Sequence, residues 1–152
     1  MRFHFSLEGL LRVRESFEKQ IEQQLAVAVA ELQRVKAMIE AVREQLMSTE
    51  TELGRLLARG STGAYVHLLC YERHLLERRE LALAESLTAA SAAVQEQQHR
   101  LRVAQQKRKI LETLREKQLA LYLLTAGRRE QQNLDDTFLL RRYGHEGGKD
   151  VA

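Results

Sequence analysis

Helical periodicity is clearest in residues 21–56, which read IEQQLAVAVAELQRVKAMIEAVREQLMSTETELGRL. Steps of three and four residues separate the apolar positions Ile21, Leu25, Ala28, Leu32, Val35, Ile39, Val42, Leu46, Leu53 and Leu56. Thr49 is the one polar residue of the series. Two positions in seven form a narrow stripe along a helix. Because such a stripe needs a second helix to cover it, the sequence predicts a coiled coil.

The composition agrees with long helices, since the chain has no Pro, no Trp and 30% charged residues. Its most apolar uncharged run, residues 119–127, is about half of the ~20 residues that cross a bilayer. The first residues do not read as a secretory signal. The one cysteine, Cys70, fits a reducing compartment. We therefore expect a soluble cytoplasmic protein.

The only cluster of helix-breaking residues before the C-terminal tail is Gly60-Ser61-Thr62-Gly63. We predict a first helix over about 6–59 with Ser6 as its N-cap, a turn over 60–63 and a second helix over about 64–143. Gly60 supplies the left-handed residue that ends the first helix. The predicted fold is an all-α antiparallel two-helix coiled-coil hairpin with a longer second helix. It forms a single domain over 1–143, and residues 144–152 form a disordered tail.

A turn centred at residue 61 predicts which residues face each other, because their numbers then sum to 122. The predicted pairs are Leu53 with Leu69, Leu46 with Leu76, Ile39 with Leu83, Val35 with Leu87, Leu32 with Ala90, Ala28 with Val94, Ile21 with Leu101 and Leu11 with Leu111. Residues beyond about 120 then extend past the first helix. Phe3 and Phe5 are expected beside Leu119 and Tyr122. Apolar residues of the extension need a partner to cover them.

The excess positive charge lies in residues 107–142, where nine basic and five acidic residues give a net charge of +4. A solvated helix face explains this, and so does an acidic partner. A nucleic-acid-binding arm, suggested by Lys107-Arg108-Lys109, ranks last because acidic residues are interspersed. We expect no nucleic acid among the partners.

Two clusters could suggest chemistry. His67, Cys70 and His74 share one helical face, but no fourth zinc ligand is evident, so we interpret them as a coincidence. Asp135 and Asp136 point about 100° apart and do not form a paired carboxylate site. We expect no metal, no cofactor and no enzymatic activity.

A second apolar stripe, Leu68, Leu75 and Ala82, lies beside the predicted seam of Leu69, Leu76 and Leu83, with Tyr71 next to it. Two interpretations are open. The second helix rotates and buries Leu75, or the stripe is an exposed patch that binds a partner.

Both ends of the chain resemble one family. The opening residues 3–15 (FHFSLEGLLRVRE), residues 111–117 (LETLREK) and residues 130–136 (EQQNLDD) resemble the FliJ family of flagellar type III export proteins. The length and the hairpin layout match as well. The resemblance implies a non-enzymatic stalk that links and activates the export ATPase ring and the export gate, located in the cytoplasm beside the inner membrane at the flagellar base. Export chaperones are further implied partners. A generic coiled-coil scaffold or spacer is the alternative.

The resemblance also implies two partner surfaces. Residues implied to contact the cytoplasmic part of the export-gate membrane protein are Val42, Leu68, Tyr71 and Leu75. Residues implied to contact the ATPase are Leu121, Leu124, Arg128, Gln131, Leu134, Asp135 and Phe138. Bulky residues expected on the first helix near the gate surface are replaced by Gln45 and Thr49.

Overall fold

A computed structural model of the chain describes residues 3–146. It consists of helix α1, Glu8–Arg59, and helix α2, Gly63–Glu146, with 52 and 84 residues. No strand occurs within the described residues. The predicted all-α hairpin with a longer second helix is confirmed.

Helix α1 begins at Glu8, one residue after the start at Leu7 that an N-cap at Ser6 predicts. Ser6 and Leu7 lie in a turn, and the Glu8 N–H donates to the Phe5 carbonyl over 3.2 Å. Glu8 places a negative charge in the first turn, where it stabilises the positive end of the helix dipole. The structure shows no capping hydrogen bond from the Ser6 hydroxyl among the described residues.

The connection between the helices uses the residues that the sequence indicates. Helix α1 ends at Arg59, and Gly60 has a φ of 74°, the left-handed conformation that ends many helices. The Thr62 carbonyl accepts hydrogen bonds from the Tyr65 and Val66 N–H groups at 3.1 and 3.4 Å. Thr62 therefore occupies the N-cap position of α2.

Helix α2 continues to Glu146, past Tyr143 where the sequence predicts its end. A single glycine such as Gly144 costs a helix about 1 kcal/mol, which does not by itself terminate it. The rest of the predicted disordered tail, residues 147–152, lies outside the described residues.

The chain divides into two compact units. The turn unit is Ser16–Gln105, and the terminal unit combines Met1–Glu15 with Gln106–Ala152. That residues 1–143 form a single domain stays a prediction.

The turn unit contains the best-packed part of the seam. Buried side chains of both helices, Val35, Ile39, Val42 and Leu83, form one cluster against which Met38, Leu46, Leu76 and Leu87 pack. Its members include the predicted pairs Ile39 with Leu83, Val35 with Leu87 and Leu46 with Leu76. Beside the cluster, Arg43 Nε donates to Glu80 Oε1 over 2.7 Å. Those residue numbers sum to 123, within one residue of the predicted register.

The terminal unit shows the predicted contacts near the first residues of the chain. Leu11 and Leu111 are both buried, as is Phe5. The rings of Phe3 and Tyr122 lie 5.6 Å apart at a tilt of 53°. An ion pair joins Arg115 Nε to Glu8 Oε2 at 3.3 Å. Within this unit, Phe3 therefore packs against α2 as expected, while the contact of Phe5 with Leu119 or Tyr122 stays a prediction.

Candidate partner-binding surfaces

The face that α2 turns toward α1 just after the turn is set by Leu69, which is 7% exposed. Leu68 precedes it by one position and points about 100° away, so it is 57% exposed. Leu75 follows Leu68 by seven positions on the same face and is 47% exposed. Helix α2 therefore does not rotate to bury Leu75, and the second stripe is an exposed apolar patch.

Aromatic residues extend this patch. Tyr71 is exposed beside Leu68 and Leu75, as predicted, and Tyr65 is exposed three positions before Leu68. Sequence reasoning missed Tyr65, although its spacing of three from Leu68 is the signal that could have found it. Tyr65, Leu68, Tyr71 and Leu75 together are named the tyrosine–leucine patch. Aromatic rings and leucines at helical spacing present the anchors that partner proteins commonly bury.

Val42 is not part of any exposed surface. It is 3% exposed and belongs to the cluster formed by Val35, Ile39 and Leu83. A side chain with so little accessible area offers nothing to a partner, and Val42 is therefore removed from the set of gate-contact residues. Its position in the seam of residues 21–56 already indicated burial.

The seven residues expected to contact an ATPase are all exposed on α2 of the terminal unit. They are Leu121, Leu124, Arg128, Gln131, Leu134, Asp135 and Phe138. Leu134 and Phe138 are four positions apart, share a face and are 70% and 65% exposed. Large apolar side chains left this open on a helix are candidates for an interaction surface. The set is named the C-terminal surface.

Some polar side chains on this part of α2 form hydrogen bonds with the helix backbone, and others do not. Thr125 and Thr137 donate their hydroxyl protons to the carbonyls of Tyr122 and Asn133, at 2.8 and 2.6 Å. Hydroxyls bonded in this way are occupied by the helix itself. Gln131 and Asp135 show no such bond among the described residues and present polar groups beside the exposed leucines.

The histidine and cysteine cluster carries no sign of a metal site. Cys70 is exposed, and no group of three or more potential ligands converges anywhere in the part of the chain that the structure describes. Nor does either helix, over those residues, contain a segment with the length and hydropathy of a membrane span.

Comparison of the sequence with known protein families identifies the family of the chain. The model of the flagellar FliJ protein family matches residues 3–148, almost the whole sequence. The chain belongs to the FliJ family. Family membership supports a component of a type III export apparatus, and members of this family are non-enzymatic structural components.

A solved structure has a similar fold. It is that of a protein described as a YscO homologue, CT670, from Chlamydia trachomatis, with a TM-score of 0.55 and 18% sequence identity. The similarity covers 96% of this chain and 99% of the other. At this identity the likeness concerns the fold alone. No curated protein matches the sequence significantly.

Proposed function

We propose that this FliJ-family chain is a stalk that links the export ATPase ring to the cytoplasmic part of the export-gate membrane protein and activates the ATPase. The observation that carries the proposal is the presence of two separate exposed apolar surfaces on one long helix: the tyrosine–leucine patch and the C-terminal surface. A generic spacer needs neither, because exposed leucines and aromatic residues lower solubility unless a partner covers them.

The C-terminal surface is assigned to the ATPase. Its support is chemical, since it combines exposed Leu121, Leu124, Leu134 and Phe138 with the polar residues Arg128, Gln131 and Asp135. The surrounding residues 107–142 carry a net charge of +4. An apolar surface in a basic segment suits a partner whose contact surface is apolar with acidic edges.

The tyrosine–leucine patch is assigned to the export gate. Leu68, Tyr71 and Leu75 are the exposed residues that the family resemblance implies, and Tyr65 adds a fourth anchor. On α1, Gln45 is exposed and Thr49 is buried, so neither supplies a bulky contact. The gate contact is therefore proposed for α2 alone. Export chaperones and a position beside the inner membrane at the flagellar base belong to the same proposal.

The experiment that tests the function measures the ATPase activity of the purified export ATPase titrated with the chain. Leu121→Gln, Leu124→Gln, Leu134→Gln and Phe138→Gln are combined in one variant, because Gln removes apolar contact area while preserving helix propensity. The wild-type chain raises turnover, and this variant fails to do so. Leu68→Gln/Tyr71→Gln/Leu75→Gln is the matched control and activates normally. Equal activation by all three chains would rule out the C-terminal surface as the ATPase contact.

A further inference from the structure

A third exposed apolar surface lies in the terminal unit, outside both surfaces used above. Lys109, Ile110, Thr113, Leu114 and Lys117 line a shallow cleft on α2. Ile110 is 67% exposed, although it directly precedes the buried Leu111. An isoleucine exposed to this extent beside lysines has no role in the packing of the hairpin.

One exposed apolar residue of α1, Leu10, lies on the same side of this unit. Helical side chains advance by about 100° per residue, so Leu10 points roughly 160° away from Glu8. Ile110 likewise points roughly 140° away from Arg115. Because Glu8 and Arg115 pair with each other, their ion pair marks one side of the unit, and Leu10 and Ile110 lie on the other. Leu10 is 42% exposed.

Both helices thus contribute to one groove, defined by Leu10, Lys107, Ile110, Leu114 and Lys117 and named the lysine–isoleucine groove. Lys107 and Lys117 point within roughly 60° and 20° of Ile110. Both acidic residues nearby on α2 point away from it: Glu112 by roughly 160° and Glu116 by roughly 120°. The charge of the groove is therefore positive along its length.

The acidic residues nearby also fail to neutralise these lysines. Glu112 pairs with Arg108, and Glu8 pairs with Arg115. No described residue forms an ion pair with Lys107, Lys109 or Lys117. The arginines of this segment are thus matched by carboxylates within the unit, whereas the lysines beside Ile110 keep their charge for another molecule.

We propose that the lysine–isoleucine groove binds an amphipathic helix of a partner protein that carries acidic residues on both edges of its apolar stripe. The apolar stripe would cover Leu10, Ile110 and Leu114, and the acidic edges would meet Lys107 and Lys117. A helix laid beside two others completes a three-helix packing, which buries more of a narrow seam than two helices can. A second copy of this chain fits poorly, since its own groove would bring lysines against lysines.

Two synthetic helical peptides of about three heptads (~21 residues) test the proposal by fluorescence anisotropy against the full chain. Both have Leu and Ile in the apolar stripe, but one carries Glu and the other Lys along its edges. We expect the Glu peptide to bind at least about tenfold more tightly than the Lys peptide at low salt, because only its edges complement the groove. Equal binding of the two peptides, or binding of neither, would overturn the proposal.

Charge reversal identifies the surface. Lys107→Glu/Lys117→Glu should invert the preference, so that the Lys peptide binds more tightly. Lys19→Glu/Lys36→Glu makes the same charge change in the turn unit and should leave the preference unchanged. Ile110→Gln/Leu114→Gln should abolish binding of the Glu peptide while circular dichroism shows the wild-type helix content. An effect of the control variant as large as that of Lys107→Glu/Lys117→Glu would assign the binding to net charge rather than to the groove.

Two competition measurements exclude other occupants. A single-stranded oligonucleotide of about 20 nucleotides should not displace the Glu peptide at physiological salt, and displacement would favour a nucleic acid. Sedimentation equilibrium should show the same mass for the wild type and for Ile110→Gln/Leu114→Gln. A dimer that this variant loses would assign the groove to a second copy of the chain.

Discussion

At the scale of single residues, the neighbouring helix decides what each apolar side chain contributes. Val35 and Val27 lie eight residues apart on α1 and have the same chemistry, yet Val35 is 4% exposed and Val27 is 71% exposed. Only Val35 belongs to the cluster with Ile39, Val42 and Leu83. The free energy of unfolding should therefore depend on one valine and not on the other.

Val35→Ala is expected to lower the free energy of unfolding by about 2 kcal/mol, because it removes buried methyl groups and leaves a cavity. Val27→Ala should change it by about 0.5 kcal/mol or less, since no contact is lost and Ala is the better helix former. Urea unfolding followed by circular dichroism measures both. Equal losses for the two variants would contradict the burial that distinguishes them.

Two glycines of the turn unit should respond in opposite directions to the same substitution. A Cβ built at Gly54 or at Gly60 meets no atom within 4 Å, but only Gly60 has a positive φ, 74°. Gly54→Ala should raise the free energy of unfolding by up to about 1 kcal/mol, because Ala favours the helix. Gly60→Ala should lower it by roughly 1 kcal/mol, because the left-handed conformation strains Ala. Urea unfolding again provides the measurement, and a shared sign would contradict the prediction.

The carboxylate of Glu31 accepts two hydrogen bonds from Arg34, from Nε at 2.9 Å and from Nη2 at 2.7 Å. These bonds, with the attraction of the guanidinium, hold the pKa of Glu31 below its ordinary 4.5. A lowered carboxylate pKa stabilises the folded state above the unfolded-state pKa, and this contribution disappears as the pH falls through the folded-state pKa. In an NMR titration, Arg34→Gln should move the pKa of Glu31 back toward 4.5. An unchanged titration in that variant would exclude Arg34 as the cause.

At the scale of the elements, the heptad pattern determined most of what could be predicted. The alternation of three and four between Ile21 and Leu56 sets the buried face of α1. The glycines after Arg59 fix where the chain reverses. Together they predict that Ile39 meets Leu83, as the core of the turn unit shows. The contact of Phe3 with Tyr122 follows from the register in the same way.

Details that depend on single interactions were harder to predict. Ser6 has the chemistry of an N-cap, yet the Phe5 carbonyl closes the first turn and α1 begins at Glu8. Gly144 suggested a helix end, but the cost of one glycine does not stop α2 before Glu146. Within the candidate surfaces, family resemblance alone suggested Val42, whereas its heptad position required burial. The exposure of Leu75 needed the structure, because the sequence permits either rotation of α2.

The register of the turn unit can be tested by cross-linking in a Cys70→Ser background. Arg43→Cys/Glu80→Cys replaces two residues whose long side chains meet at their tips, and a short bismaleimide that spans the length of those side chains should cross-link the two cysteines readily. Arg43→Cys/Arg73→Cys shifts one partner by a heptad, about 10 Å along the helix, and should not be cross-linked. Non-reducing electrophoresis and mass spectrometry separate the products. Rapid cross-linking of the shifted pair would contradict the antiparallel register.

At the scale of the whole molecule, we propose that one FliJ-family chain binds two partners through separate surfaces. The tyrosine–leucine patch belongs to the turn unit and the C-terminal surface to the terminal unit. Neither surface shares a residue with the other or with the lysine–isoleucine groove. If both assignments hold, loss of one partner should leave affinity for the other unchanged.

The most direct measurement of this claim is size-exclusion chromatography with light scattering of the chain, the export ATPase and the cytoplasmic part of the gate protein. We predict a ternary complex whose mass contains all three. The complex formed by the Leu121→Gln/Leu124→Gln/Leu134→Gln/Phe138→Gln variant should lack only the ATPase. The complex formed by the Leu68→Gln/Tyr71→Gln/Leu75→Gln variant should lack only the gate protein. Displacement of one partner by the other, or loss of both partners with either variant, would contradict a stalk that links them.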